Sequence, residues 1–205
     1  MGWSKTPYLE YPHLFEFSYL EDLNQRKLRD AEVILGAALN SNPKVVVEIG
    51  TAEGRMTSMI SENIPDSSRL YTLNIPPEEI KLGGKLVTGA YSEDQIGRIY
   101  KEKGCKNVIQ ILKNSKNWEP NIGVVNMAFI DGSHDAEFVY SDTLKILKIS
   151  EPGTIIIWHD FNPYLIANYA WIKSVCLGVD QLFRDGHLVN KVLHLQDSWT
   201  GLYIV

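Results

Sequence analysis

The hydrophobic positions of this chain change their period repeatedly along its length. Short runs that are apolar throughout alternate with longer stretches in which apolar residues recur every three or four positions. The run 44–50, KVVVEIG, is β-branched and continuous, as a parallel strand covered on both faces should be. Similar runs follow at 69–75 (RLYTLNI), 107–113 (NVIQILK), 124–131 (VVNMAFID) and 153–160 (GTIIIWHD). Two closing runs, 187–196 and 201–205, are close enough in sequence to pair as a hairpin at a sheet edge. Helical periodicity fills the gaps at 20–39, 55–64, 92–104, 135–150 and in part or all of 163–183. Ser92 caps the third of these and Gly104 stops it. Strand–helix alternation of this kind predicts an α/β fold. Its sheet is doubly wound, mostly parallel and seven-stranded, with an antiparallel edge hairpin.

Composition narrows the setting. A chain of 205 residues suits a single domain, 1–205, in which 1–40 forms an N-terminal helical extension. Hydrophobic and charged contents of 44% and 22% are those of a soluble globular protein. The net charge of −5 and the absence of a long basic run argue against nucleic acid as a partner. No run approaches the ~20 apolar residues that span a bilayer, so no membrane partner is expected. No leader pattern opens the chain, and the two cysteines have no CxxC spacing, so a cytoplasmic, reduced protein is the expectation. A homo-oligomer is compatible with all of this.

Ligands of doubly wound sheets bind beyond the carboxyl ends of the strands, where the strand order reverses. Four of the runs end in polar chemistry. The first leads through Glu48, Gly50, Thr51 and Gly54 into a helix, whose N-terminus offers free amide hydrogens. Ala52 stands where a dinucleotide fingerprint would have its second glycine. The second run ends at Asn74, whose amide can both accept from and donate to a ribose hydroxyl. Asn114-Ser115 follow the third run as small polar groups able to meet an adenine edge. The fourth run ends in Asp131-Gly132-Ser133-His134 and the fifth in His159-Asp160. If these strands are neighbours, both pairs face one crevice. Carboxylates there suit a hard cation such as Mg²⁺, and an imidazole is a natural general base. His159 serves equally well as a residue packed on the core.

In order, the segments VVVEIGTAEGRMTS, YTLNIPPEE, AFIDGSHDAEFVYSD and LKISEPGTIIIWHDF resemble the class I S-adenosylmethionine-dependent methyltransferases. The nearest subgroup is the one with I-D-G-x-H on the fourth strand, related to catechol and macrolide-sugar O-methyltransferases. The resemblance covers about residues 30–205 and implies the Rossmann-like methyltransferase fold. It implies that Glu48, Gly50, Thr51 and Gly54 hold the methionine part of the cofactor, Asn74 the ribose and Ser115 the adenine. Asp131 would border the cofactor and, with Asp160, bind a metal. His134, Asp131 and Asp160 would be catalytic, with His134 as base. The implied reaction is methyl transfer from S-adenosylmethionine to a hydroxyl of a small molecule, a sugar or another metabolite. The alternative is a nucleoside-binding protein of the same fold without methyl transfer. Phe161 stands where metal-dependent relatives often carry a further Asp or Asn. The segments 83–91 and 163–171 are expected as lids over the acceptor, and the aromatic N-terminal segment as a cover or subunit contact.

Overall fold

The computed structural model describes residues 4–7, 21–86 and 89–205, without side chains for 21–24. Most of the N-terminal segment and part of the expected lid at 83–91 lie outside them.

Seven strands form one sheet. They are β1 (Val45–Ile49), β2 (Arg69–Asn74), β3 (Val108–Leu112), β4 (Val125–Ile130), β5 (Ser150–Trp158), β6 (Leu193–His194) and β7 (Gly201–Ile204). Their order is β3-β2-β1-β4-β5-β7-β6, parallel except for β7, which runs antiparallel to β5 and β6. The order reverses between β1 and β4, which fixes the crevice beyond their carboxyl ends.

Among the described residues, five α-helices cover the faces: α1 (Glu21–Ser41), α2 (Arg55–Asn63), α3 (Arg98–Glu102), α4 (Ala136–Lys148) and α5 (Ala170–Arg184). Alternation along the strands splits the core in two. Val46, Leu70, Phe129 and Ile157 pack with Ile34, Leu35 and Ile60 of α1 and α2. Val47, Ile49, Ile130 and Trp158 pack with Val139, Ile146, Val175 and Leu182 of α4 and α5. Both faces are therefore dry, which explains why the strand runs are continuously apolar. No helix among the described residues is long and apolar enough to cross a membrane.

Three elements are shorter than their sequence patterns predict. The helix expected over 92–104 is regular only from Arg98, because Gly97 takes a left-handed conformation (φ 69°). The Gly97 and Ile99 amides donate to Ala52 and Glu53 carbonyls instead, tying this segment to the β1–α2 turn. The last helix begins at Ala170, leaving 163–169 irregular. The strand expected over 187–196 keeps only two residues, since the Val189 and Asn190 amides donate to the Tyr203 hydroxyl rather than to a ladder.

Candidate functional site

The β1–α2 turn is dictated by steric limits. Gly50 has φ 108°, and a Cβ there would come within 3.0 Å of the Asp131 carbonyl group. Only glycine lets the ends of β1 and β4 meet this closely. Asp131 N–H donates to the Ile49 carbonyl at 2.8 Å, and His159 N–H to that of Ile130 at 3.0 Å. The ladders thus continue past the strands and set Gly50, Asp131 and His159 side by side. Gly54 (φ 82°) caps α2 and packs against Tyr100 and Gly97. Ala52 is also left-handed, at φ 48°, a conformation that costs a non-glycine residue energy.

Glu48, expected at the methionine part of the cofactor, is fully buried and faces Thr57 of α2. Its Oε2 accepts hydrogen bonds from Thr57 and Thr72 hydroxyls, at 2.5 and 2.6 Å. The Thr51 hydroxyl lies 2.7 Å from that of Thr72 and accepts from Gln110, which in turn accepts from the Tyr100 hydroxyl. Glu48 and Thr51 therefore stiffen the turn from beneath. Oε1 has no partner among the described residues. Burial pushes the Glu48 carboxyl up to about 7, against the two hydroxyl bonds. A raised carboxyl stabilises the fold only as it gains its proton, so its cost is full above pH 7 and relieved as pH falls toward 4.5. In urea unfolding, wild type is expected to lose about 3 kcal/mol more between pH 4.5 and 8 than Glu48→Gln does. Parallel pH profiles would contradict this.

A narrow crevice of about 160 Å³ opens beyond β1, β2 and β4. Gly50, Asn74, Ser115 and Asp131 line it, together with Ala52 and Phe138. Asn74 Oδ1 accepts from Ala52 N–H at 3.0 Å and Nδ2 donates to the Ile75 carbonyl. One N–H and one lone pair remain for a ligand hydroxyl. Lys145 of α4 donates to the Ser115 and Lys116 carbonyls and so braces the wall at Ser115. Of the residues expected at the cofactor, Glu48, Thr51 and Gly54 are not among those that line this crevice.

The ends of β4 and β5 carry a charge-paired cluster. His134 Nδ1 donates to the Leu86 carbonyl at 2.9 Å, and Nε2 lies 3.0 Å from Asp160 Oδ2 and 3.8 Å from Asp131 Oδ1. The Nε2 contacts are ion pairs bent away from hydrogen-bond alignment. His159 Nδ1 lies 3.2 Å from Asp131 Oδ1 and 3.3 Å from Asp160 Oδ2, and its Nε2 is 3.4 Å from Asp30 Oδ2 of α1. Trp171 Nε1 donates to Asp160 Oδ1 at 3.3 Å. Asp160 itself is left-handed, at φ 53°. Burial disfavours the His134 charge, but Asp131 and Asp160 overcome it and push the imidazole up to about 10. His159 rises for the same reason, by way of Asp131 first. Both carboxyls are lowered despite burial, Asp160 far below its usual range. The carboxylates thus favour the charged form of both imidazoles against their burial.

A second cavity of about 430 Å³ lies on the α1/α2 side of Gly50, Ala52 and Asp131, which line both. His159 and Asp30 face it. Asp30 and Trp171 are absent from the residues that the sequence singles out as functional. His159 was legible only as half of an undecided pair. Asp30 lies about a hundred positions from Asp131 and carries no local signal.

Asp131, His134 and Asp160 each offer a ligand atom, all within 4.8 Å of one another. Two carboxylates and an imidazole fit a divalent cation that accepts mixed oxygen and nitrogen donors, such as Mn²⁺, Fe²⁺ or Zn²⁺. They fit all-oxygen Mg²⁺ less well. Phe161 is packed against Trp158, and the Asn162 amide is engaged with Ser198 and Tyr164, so neither adds a ligand.

The family described as "Methyltransferase domain" matches residues 47–161, more than half of the chain. Its match spans the β1–α2 turn, Asn74, Ser115 and, of the cluster, Asp131, His134, His159 and Asp160. The search of curated proteins finds no match. Solved structures with the same fold include an SAH-bound methyltransferase of Podospora anserina, 16% identical, covering 91% of this chain and 81% of that one, with TM-score 0.63. An O-methyltransferase of Bacillus cereus in complex with SAH is 16% identical and covers 92% and 90%, with TM-score 0.60. An N-methyltransferase of Bradyrhizobium japonicum, 12% identical, covers 88% and 96%, with TM-score 0.56. The chain belongs to the methyltransferase-domain family and has the fold of the class I S-adenosylmethionine-dependent methyltransferases.

Proposed function

We propose that this protein transfers the methyl group of S-adenosylmethionine to a hydroxyl of a small molecule, a sugar or another hydroxylated metabolite. The observation that carries this reading is the imidazole–carboxylate cluster placed where the two cavities meet. In this reading adenosine lies between Asn74 and Ser115 and the sulfur beside Gly50 and Asp131, all four of which line the crevice. The sulfonium methyl is already activated, so the protein's task is alignment and removal of one proton. The acceptor oxygen forms the new O–C bond as the C–S bond breaks, and S-adenosylhomocysteine leaves. The proton passes to the cluster. An amine acceptor would not need so dense a set of acids and bases, which favours oxygen.

His134, held charged between Leu86 and Asp160, accepts that proton only when its own Nε2 proton has left. Asp131, about one-third exposed at its side chain, is the carboxylate most open to an acceptor. Alternatively, Asp131, Asp160 and His134 Nε2 would hold a divalent cation whose Lewis acidity would lower the hydroxyl pKa, with His134 then serving as a ligand and not as the base. The bound SAH of the Podospora and Bacillus neighbours supports the choice of cofactor.

Titration calorimetry tests this directly. Wild type is expected to bind S-adenosylhomocysteine with a Kd on the order of micromolar, about −8 kcal/mol. No heat from either S-adenosylhomocysteine or S-adenosylmethionine, with and without Mn²⁺ or Mg²⁺, would sink the reading.

A further inference from the structure

We infer that Asp142 of α4 is a positioning residue: acting through the Ser115 hydroxyl, it sets which purine edge the narrow crevice accepts. The inference rests on the proposed reading in which Ser115 meets adenine.

Asp142 is 1% exposed, and neither of its carboxyl oxygens has a hydrogen-bond partner among the described residues. A buried carboxyl in that state is costly and calls for a reason. Its place on the helix supplies one. Phe138, Asp142 and Lys145 follow one another at helical spacing and share a face of α4. Phe138 lines the narrow crevice, and Lys145 donates to the Ser115 and Lys116 carbonyls. That face is thus turned to the crevice wall and to the short turn Ser115–Asn117. Ser115 lines the crevice and Asp142 does not, so a ligand feels Asp142 through Ser115.

Burial pushes the Asp142 carboxyl up to about 7, opposed first by the Ser115 hydroxyl and then by the Lys145 and Lys116 ammoniums. Both ammoniums are committed elsewhere. Lys145 serves the two carbonyls and also feels the charges of Glu119, Lys148 and Lys113. Lys116 pairs with Glu137 at 3.0 Å and lies 4.3 Å from the centre of the Phe138 ring. Ser115 is therefore the group with which Asp142 can exchange a hydrogen bond.

The two protonation states ask opposite things of that hydroxyl. A carboxylate only accepts, so it takes the Ser115 O–H and leaves Oγ with its lone pairs toward the crevice. Those suit an N–H donor such as the exocyclic amino group of adenine. A carboxylic acid can donate to Ser115 Oγ, which frees the hydroxyl hydrogen for an acceptor such as the oxo group of hypoxanthine. Preference for adenine is therefore strongest with Asp142 ionised and weakens as it gains its proton.

The test is calorimetry on the full chain with S-adenosylhomocysteine and S-inosylhomocysteine, which differ at that purine edge. The readout is the ratio of the two affinities at roughly pH 8 and roughly pH 5.5. The ratio cancels whatever acts on both ligands alike, including Glu48, whose carboxyl is also raised to about 7. In wild type the preference for adenine is expected to fall about fivefold at the lower pH, the worth of one hydrogen bond. In Asp142→Asn, which keeps the shape and loses the titration, the ratio is expected to be equal at both values. Ser115→Ala, which leaves Asp142 in place and removes the hydroxyl, is expected to be equally flat. A wild-type ratio that does not move with pH overturns the inference. So does either variant that keeps the wild-type response, even where both ligands bind it more weakly, since that is the mark of a merely structural carboxyl. Wild type that binds neither ligand sinks the cofactor reading and the inference with it, whereas binding of both at a constant ratio sinks the inference alone.

Discussion

Asp160→Asn is expected to lower methyl transfer by two orders of magnitude or more while S-adenosylhomocysteine affinity stays within a few-fold. Asp160 is the hub of the cluster. Its Oδ2 faces both His134 Nε2 and His159 Nδ1, and its Oδ1 accepts from Trp171. An amide keeps the size but loses the charge. One of its atoms becomes an N–H₂ that must point at an indole N–H or at imidazole nitrogens that carry protons. The raised His134 and His159 pKa values depend on Asp160, so the variant's imidazoles lose protons at a lower pH. Any cation at Asp131 and His134 Nε2 loses its third ligand as well. Binding should survive because Asp160 does not line the narrow crevice. The measurement is kcat with an identified acceptor, beside calorimetric affinity for S-adenosylhomocysteine. Turnover within about fivefold of wild type would remove Asp160 from the chemistry.

Much of the site was legible because strand ends are local. VVVEIG, VVNMAFID and GTIIIWHD each show where a buried strand stops, and the reversal of order between β1 and β4 makes the stops converge. Asp131 and His134 could be read from one segment. His159 could not, because its role depends on β5 lying beside β4 in the register Ile130↔Trp158, which sets His159 beside Asp131. The same logic hides Asp30, which reaches the cluster only through the packing of α1. For Glu48 the resemblance and the strand geometry bear on different things. Resemblance placed it at the cofactor, whereas strand alternation sets it on the face of Val46, opposite to Val47 and Ile49, and so toward Thr57 of α2. The shortened helix at 98–102 was hidden too: its first turn is traded for hydrogen bonds to Ala52 and Glu53, a tertiary gain that no local propensity contains.

Gly50→Ala is expected to cost stability on the order of 4 kcal/mol and to abolish S-adenosylhomocysteine binding together. Two penalties add. A residue with a Cβ is strained at φ 108°, and the new methyl would overlap the carbonyl group of Asp131. Backbone cannot yield as a side-chain tip can. Relief requires the β4–α4 turn to move away from β1, or Gly50 to rotate and give up its N–H bond to the Leu73 carbonyl at 2.8 Å. Either motion displaces Asp131, and with it the wall shared by both cavities. The strand cores on either side have no slack to absorb it, since Ile49 and Ile130 are buried on one face and Val46 and Phe129 on the other. Urea unfolding and calorimetry on the same sample measure the two losses. Lost stability with wild-type affinity would place the cofactor elsewhere than between Gly50 and Asp131. Unchanged stability would mean that the contact between the ends of β1 and β4 is looser than the geometry requires.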